Sequence, residues 1–297
     1  MGGDRKLRGR VAVVAGASRG AGRGIALALG DAGAKVFVAG RTTRESAGRA
    51  DGLPGTIEAT AEEVTARGGE GIAVRADLSA DGGVGELFSR VDAEASGVDI
   101  VANAVWGAAD GNATMSEWMS AMGRPFWDQP AGQWTQMMQA GARAYWAVSV
   151  EGARRMAETG SGLIVGVVDG VVSDDGRTAG EYQGQLLWDL AHVCMLRMLC
   201  GMAVEGRSHG ISVVPLMPGF MRTEAVEKLL STDALKKRFG YERSESTEYI
   251  GRAVVGLASD PSVLEKSGRV QWVADLAAEY GFTDVDGRRV PRFDPFA

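Results

Sequence analysis

The chain has 297 residues, 45% of them hydrophobic and 24% charged, with a formal net charge of −6. That length and composition fit one large α/β domain with a sizeable core, spanning residues 1–297, and the acidic balance argues against nucleic acid or an anionic membrane as partner. No apolar run reads as long as a membrane span of roughly 20 residues, residues 1–10 lack the apolar stretch of a signal peptide, and Cys194 and Cys200 lack metal-ligand spacing, so the expectation is a cytoplasmic protein with no metal.

Strands are expected at Val11–Ala15, Lys35–Ala39, Gly71–Ala76, Val98–Asn103, Leu163–Val168, Ile211–Leu216 and Arg269–Ala274. Helices alternate with them: Gly22–Ala32, closed by Gly33; Thr56–Arg67, with Thr56 as cap and Glu58 in its first turn; Val84–Ser96; Trp134–Thr159; Leu186–Gly206; Ile250–Ser259. Strands alternating with helices at this spacing mean a doubly wound parallel sheet with helices on both faces. Two stretches break the rhythm. Residues 105–133 hold Trp106, Trp118, Phe126 and Trp127, and read as a lid, an oligomer contact or a plug at the core's edge. Residues 220–247 form a charged helical excursion on the substrate side, and the tail after Tyr280 reads as a surface wrap.

The stretch Arg10–Ala28 organises the chain. An apolar strand runs into Gly16, Ser18, Arg19, Gly20 and Gly22, and a helical pattern follows. Strand, glycine turn and helix N-terminus together hold a pyrophosphate on backbone N–H groups. The residue at the end of the second strand reads the ribose. An acidic side chain there suits NAD, but this chain has Arg41, with Arg19 and Arg44 near. Guanidinium groups suit the 2′-phosphate of NADP(H), which is the expected cofactor.

Ala15-Gly16-Ala17-Ser18-Arg19-Gly20-Ala21-Gly22 resembles the TGxxxGxG motif of short-chain dehydrogenases/reductases, with Ala15 in place of Thr. Asp77-Leu78 looks like that family's adenine-contacting pair. Pro218-Gly219-Phe220-Met221-Arg222-Thr223 resembles its PGxxxT segment, whose Thr meets the nicotinamide carboxamide. The likeness runs from about Arg10 to Ala274, and Val105-Trp106-Gly107 looks most like the DHRS-type bacterial reductases of that family. It implies a Rossmann-type parallel sheet of about seven strands. It also implies a homodimer or homotetramer built on the helix Trp134–Thr159 and the helix after it.

The family's chemistry rests on Asn, Ser, Tyr and Lys, and here the pattern departs. Of the strand-four motif only Asn103 survives, in Asn103-Ala104-Val105-Trp106. Counting from Trp134, the helix Asn falls on Gly141, and the Ser after strand five falls on Asp169. No Tyr in the chain is followed four residues later by Lys. Two registers are open. One takes Tyr182 as the family's Tyr and Leu186 in place of its Lys. The other counts back from the helix end at His209-Gly210 and puts Trp188 at the Tyr position and His192 at the Lys position. The second keeps the buried face of the helix in phase and is preferred.

Indole N–H is a hydrogen-bond donor only. His192, one of two histidines, is expected to titrate near neutrality, and so to protonate a substrate or hold the cofactor ribose. Asp169 is a partner for a substrate hydroxyl or cation, or a turn former before Gly170. Tyr182 reads as the only phenol near the site. The expected function is NADPH-dependent reduction of a carbonyl or C=N group of a sizeable, partly apolar small molecule, with Asp169, Tyr182, Trp188 and His192 as catalytic candidates. The alternatives are non-redox chemistry on the same fold (cyclisation, dehydration, isomerisation) and a non-catalytic NADP(H)-binding protein.

Overall fold

The computed structural model describes residues 5–46, 52–106, 124–169 and 186–293. Seven strands form one parallel sheet in the order β3-β2-β1-β4-β5-β6-β9: β1 Val11–Ala15, β2 Lys35–Gly40, β3 Glu70–Arg75, β4 Ile100–Asn103, β5 Gly162–Val167, β6 Ile211–Met217 and β9 Gln271–Trp272. Side chains alternate across the sheet, and both faces are covered. Val14, Val36 and Val214 point into one core with Ile25 and Leu29 of α1 (Gly20–Asp31). Val13, Phe37 and Ile164 point into the other, with Leu87 and Phe88 of α3 (Asp81–Glu94). β1 pairs with β2 on one side and β4 on the other. The strand order therefore reverses between β1 and β4, and their carboxyl ends open a crevice where such sheets bind ligands.

The expected helix caps hold. Thr56 Oγ1 accepts from the Ala59 N–H at 3.1 Å ahead of α2 (Ile57–Ala66), and Gly33 follows α1 with φ +86°. Three expectations change. The helix from Trp134 is not uniform: Thr135–Arg143 is π-helical, with Gly141 inside it, before α4 (Ala144–Thr159). The last strand has only two residues, because Val273 starts a new helix that runs to Tyr280. The tail is no loose wrap: Asp284 is buried, accepting from the Ser246 N–H at 2.9 Å and pairing with Arg222 at 3.2 Å.

The helix α5 (Leu186–Gly206) corrects two readings. It was expected to be buried on most faces, yet Leu186, Leu190 and Val204 are exposed. The segment Leu186–His209 is also long and apolar enough to cross a membrane, with mean hydropathy 1.4, so the chain does contain a run of that length. Its inner face, Met195, Leu196 and Leu199, packs against the sheet, as the core helix of a soluble protein does. Cys194 and Cys200 on it are free and half-buried.

Of the aromatic stretch 105–133, residues 107–123, Trp118 among them, lie outside the described residues. Phe126 and Trp127 contact each other edge-to-face at 5.0 Å and are exposed, so neither plugs the core.

Candidate active site

The crevice at β1 and β4 is lined by backbone. Gly16 has φ +80°, and a Cβ there would lie 2.7 Å from the Ala104 carbonyl oxygen at the end of β4. A Cβ on Gly22 would lie 2.3 Å from the Gly16 carbonyl oxygen. Only glycine keeps this cradle open. Ser18 and Arg19 lie in the turn against Gly55, which closes over them from the loop before α2. Arg19 is extended and gives α1 no side-chain cap, so the first N–H groups of the helix stay available to an anion. An acidic group already uses one of them: the Gly20 N–H donates to Glu224 Oε2 at 2.8 Å. The open cradle and its attraction for an anion both fit a pyrophosphate.

The segment after β6 closes the other side. Pro218 and Gly219 lead to β7 (Met221–Arg222), which pairs with the two-residue strand β8 (Glu245–Ser246). Thr223 caps the short helix Glu224–Leu229, its Oγ1 accepting from the Val226 N–H at 3.2 Å. Its Cγ2 would lie 3.8 Å from a Cβ on Gly20, so the PGxxxT-like segment and the glycine turn face each other.

At the end of β3, Asp77 Oδ1 accepts from the Ser79 N–H at 3.0 Å and the Ser79 hydroxyl at 2.6 Å. Burial works to raise its pKa, but those hydrogen bonds and the charge of Arg41 outweigh it and hold the carboxyl below its ordinary value. Arg41 and Asp77 are therefore neighbours, and Leu78 is buried beside them. Two residues of the cofactor reading have protein partners of their own. Arg44 turns to Glu62 of α2, 2.7 Å from Nη1. The Asn103 side chain is fully buried and points to α4, with Nδ2 donating to Ser149 Oγ at 2.9 Å. It ties β4 to that helix, and its Oδ1 has no hydrogen-bond partner among the described residues.

Past β5 the structure brings Asp169, Trp188 and His192 together. The Asp169 N–H donates to His192 Nδ1 at 3.0 Å. A neutral imidazole that accepts at Nδ1 carries its proton on Nε2. The ring stacks on Trp106 at 4.6 Å and lies against Trp188 at 4.5 Å. Burial drives the His192 pKa down to about 3. This overturns the expectation that His192 titrates near neutrality: at physiological pH it is a neutral N–H donor, held between two indoles. Asp189, whose carboxyl burial raises, shares one small crevice with Asp169, His192 and Met217.

Tyr182 lies outside the described residues. Leu186, its partner in the first register, is exposed at the start of α5. A phenol that sequence reasoning missed does come near: Tyr145 of α4, buried, donates its hydroxyl to the Val167 carbonyl at 2.6 Å, two residues before Asp169. Burial pushes its pKa far up, so its proton stays in that bond. Glu224, Glu245 and Asp284 were also missed. Each sits in a polar stretch that reads as solvated surface, and only the β7–β8 pairing and the return of the tail bring them inward.

Comparison with known proteins agrees with this geometry. The family model for short chain dehydrogenases matches residues 10–234. Human dehydrogenase/reductase SDR family member 1 is 36% identical over 292 residues, covering 96% of this chain and 86% of that protein. A crystal structure of a short chain dehydrogenase from Mycobacterium thermoresistibile superposes with TM-score 0.76 at 23% identity, covering 98% of this chain and 96% of that one. A structure of an NAD(P)-dependent gluconate 5-dehydrogenase from Beutenbergia cavernae with bound NADP superposes with TM-score 0.68 at 26% identity, covering 91% of this chain and 97% of that one. The chain belongs to the short-chain dehydrogenase/reductase family, whose members are oxidoreductases that bind nicotinamide cofactors.

Proposed function

We propose that this protein is an NADPH-dependent reductase whose substrate is a C=N or iminium compound in preference to a neutral ketone. The observation that carries the reading is the state of His192: neutral, with Nδ1 occupied by the Asp169 N–H, and flanked by Trp106 and Trp188. None of these side chains is a strong acid near neutral pH. An iminium substrate already carries its proton and needs none from the protein. The Asp169 carboxylate and the faces of Trp106 and Trp188 are groups that favour a cation.

In this reading Arg19 and Arg41 hold the 2′-phosphate, the glycine turn and the α1 N-terminus hold the pyrophosphate, and Asp77 and Leu78 flank the adenine. Thr223, with Pro218 and Gly219, orients the carboxamide. The bound cofactor supplies a hydride to an electrophilic carbon. In the preferred register Trp188 and His192 take the positions of the family's Tyr and Lys, and His192 Nε2–H serves as the donor toward the ribose or substrate. For a carbonyl substrate, Tyr182, which lies outside the described residues, is the proposed proton donor. The exposed apolar residues Trp146 of α4 and Leu190 of α5 suit a homodimer or homotetramer contact.

The test is to mix the protein with NADPH and cyclic imines or ketones and follow cofactor absorbance. Faster turnover of the imines is expected. Tight NADPH binding with no turnover of either class would overturn the reading and favour the non-redox or sensing alternatives.

A further inference from the structure

Glu245 is a buried carboxyl that the reading above leaves without a role. It stands on β8, where its N–H donates to the Phe220 carbonyl at 2.8 Å, and it is 1% exposed. Its side chain turns under the Pro218-Gly219 loop. The Gly219 N–H donates to the carboxyl, and a Cβ on Gly219 would lie 2.8 Å from Oε2. The other oxygen, Oε1, is buried and has no hydrogen-bond partner among the described residues. An unpaired buried polar atom is costly, and one in a native fold calls for an explanation such as strain, a catalytic role or a bound water or ion.

The charged and titratable groups around it come from four elements. Arg222 on β7 is a cation that acts on it, and it is already engaged by the Ser244 carbonyl at 2.6 Å and by Asp284 at 3.2 Å. Asp284 of the tail and Asp169 after β5 add negative potential, and the Tyr249 hydroxyl faces it from the helix Thr247–Ser259. Burial, foremost, raises the carboxyl to about 8, with the Gly219 N–H and Arg222 opposing and Asp284 and Asp169 adding to the rise. At neutral pH a proton is therefore held under the loop that, in the family, meets the nicotinamide. His192 cannot mimic this titration, because its own lies near pH 3.

Resting on the cofactor reading above, we infer that Glu245 is a positioning residue of the nicotinamide loop whose charge answers that of the bound ring: a neutral carboxyl under the reduced, uncharged form, and a carboxylate under the oxidised, cationic form. Electrostatics favour this sign, since a positive ring above the loop lowers the free energy of the carboxylate and leaves that of the neutral carboxyl nearly unchanged.

The test measures equilibrium dissociation constants of NADPH and NADP+ between pH 6.5 and 9.5 for the wild type, Glu245→Gln and Glu245→Ala. Proton release on NADP+ binding is read by calorimetry in two buffers of different ionisation enthalpy. The ratio of the two constants cancels the titration of the 2′-phosphate, which both forms carry. In the wild type, NADP+ affinity relative to NADPH should rise about five- to tenfold across the range, with proton release greatest below pH 8. Glu245→Gln keeps an acceptor for the Gly219 N–H, so it should fold and bind both forms, with a flat ratio and no proton release. Glu245→Ala should show the same flat ratio with weaker binding of both forms. Tight binding with a flat wild-type ratio, or a sloping ratio that persists in Glu245→Gln, would overturn the inference and leave the cofactor reading standing. Failure of either nucleotide to bind at any pH would overturn both.

Discussion

The two halves of the site are built on different physics. Around the glycine turn, function rests on backbone: Gly16 and Gly22 are fixed by carbonyl oxygens that would lie 2.7 and 2.3 Å from any Cβ, and almost no other residue is compatible. Around Asp169, Trp188 and His192, function rests on side chains held by packing, where a phenol or an ammonium group can be replaced without disturbing the sheet. On the proposed reading, the first half keeps the cofactor and the second half changes the chemistry.

The largest effect that would break this contrast is expected at Gly22. Gly22→Ala drives a methyl into the turn and should abolish measurable NADPH binding while lowering the melting temperature by several degrees, a strain of about 2–3 kcal/mol. An intact nucleotide site in this variant would refute the backbone account. Next, Arg41→Ala should weaken NADPH binding by about tenfold to a hundredfold and leave NADH nearly unaffected, because a lost charge-assisted contact is worth about 1.5–3 kcal/mol. Parallel titrations with both nucleotides decide it.

In the side-chain half, His192 makes a prediction about pH. Its pKa falls from 6.5 to about 3 on folding. Below pH 6.5 the unfolded chain binds a proton that the native state refuses, so this group's contribution is lost as pH falls from 6.5 toward 3. At pH 5 the loss is about 2 kcal/mol. His192→Gln should flatten this part of the stability profile in urea melts, and an unchanged acid limb would contradict the burial of a neutral ring. The smallest effect is at Glu224, whose carboxylate occupies the Gly20 N–H. Glu224→Gln removes a like charge from the phosphate end and should tighten NADPH binding about two- to fivefold. Weaker binding would show that Glu224 helps the site instead.

The backbone half was legible in the sequence because its requirements are local. Glycine spacing, the strand before it and Arg41 after β2 all lie in short windows. The two Arg residues near the turn looked alike in sequence, and only the fold shows that Arg44 belongs to Glu62. The side-chain half was legible as positions, since counting from the helix end brought Trp188 and His192 beside Asp169. Their properties were not, because the fall in the His192 pKa comes from burial between Trp106 and Trp188, residues distant in sequence from one another. Glu245 and Asp284 left no trace at all: Glu245 falls in the stretch 220–247, which reads as a charged helical excursion until the tail folds back over it.

The most direct test of the proposed function, an NADP(H)-binding half beside an altered catalytic half, is a crystal structure of the protein with NADPH. The account predicts the 2′-phosphate between Arg19 and Arg41, and the nicotinamide end beside Asp169 with His192 Nε2 and Trp188 turned toward it. A nicotinamide approached by the Tyr182 hydroxyl, with Trp188 and His192 facing away, would contradict it.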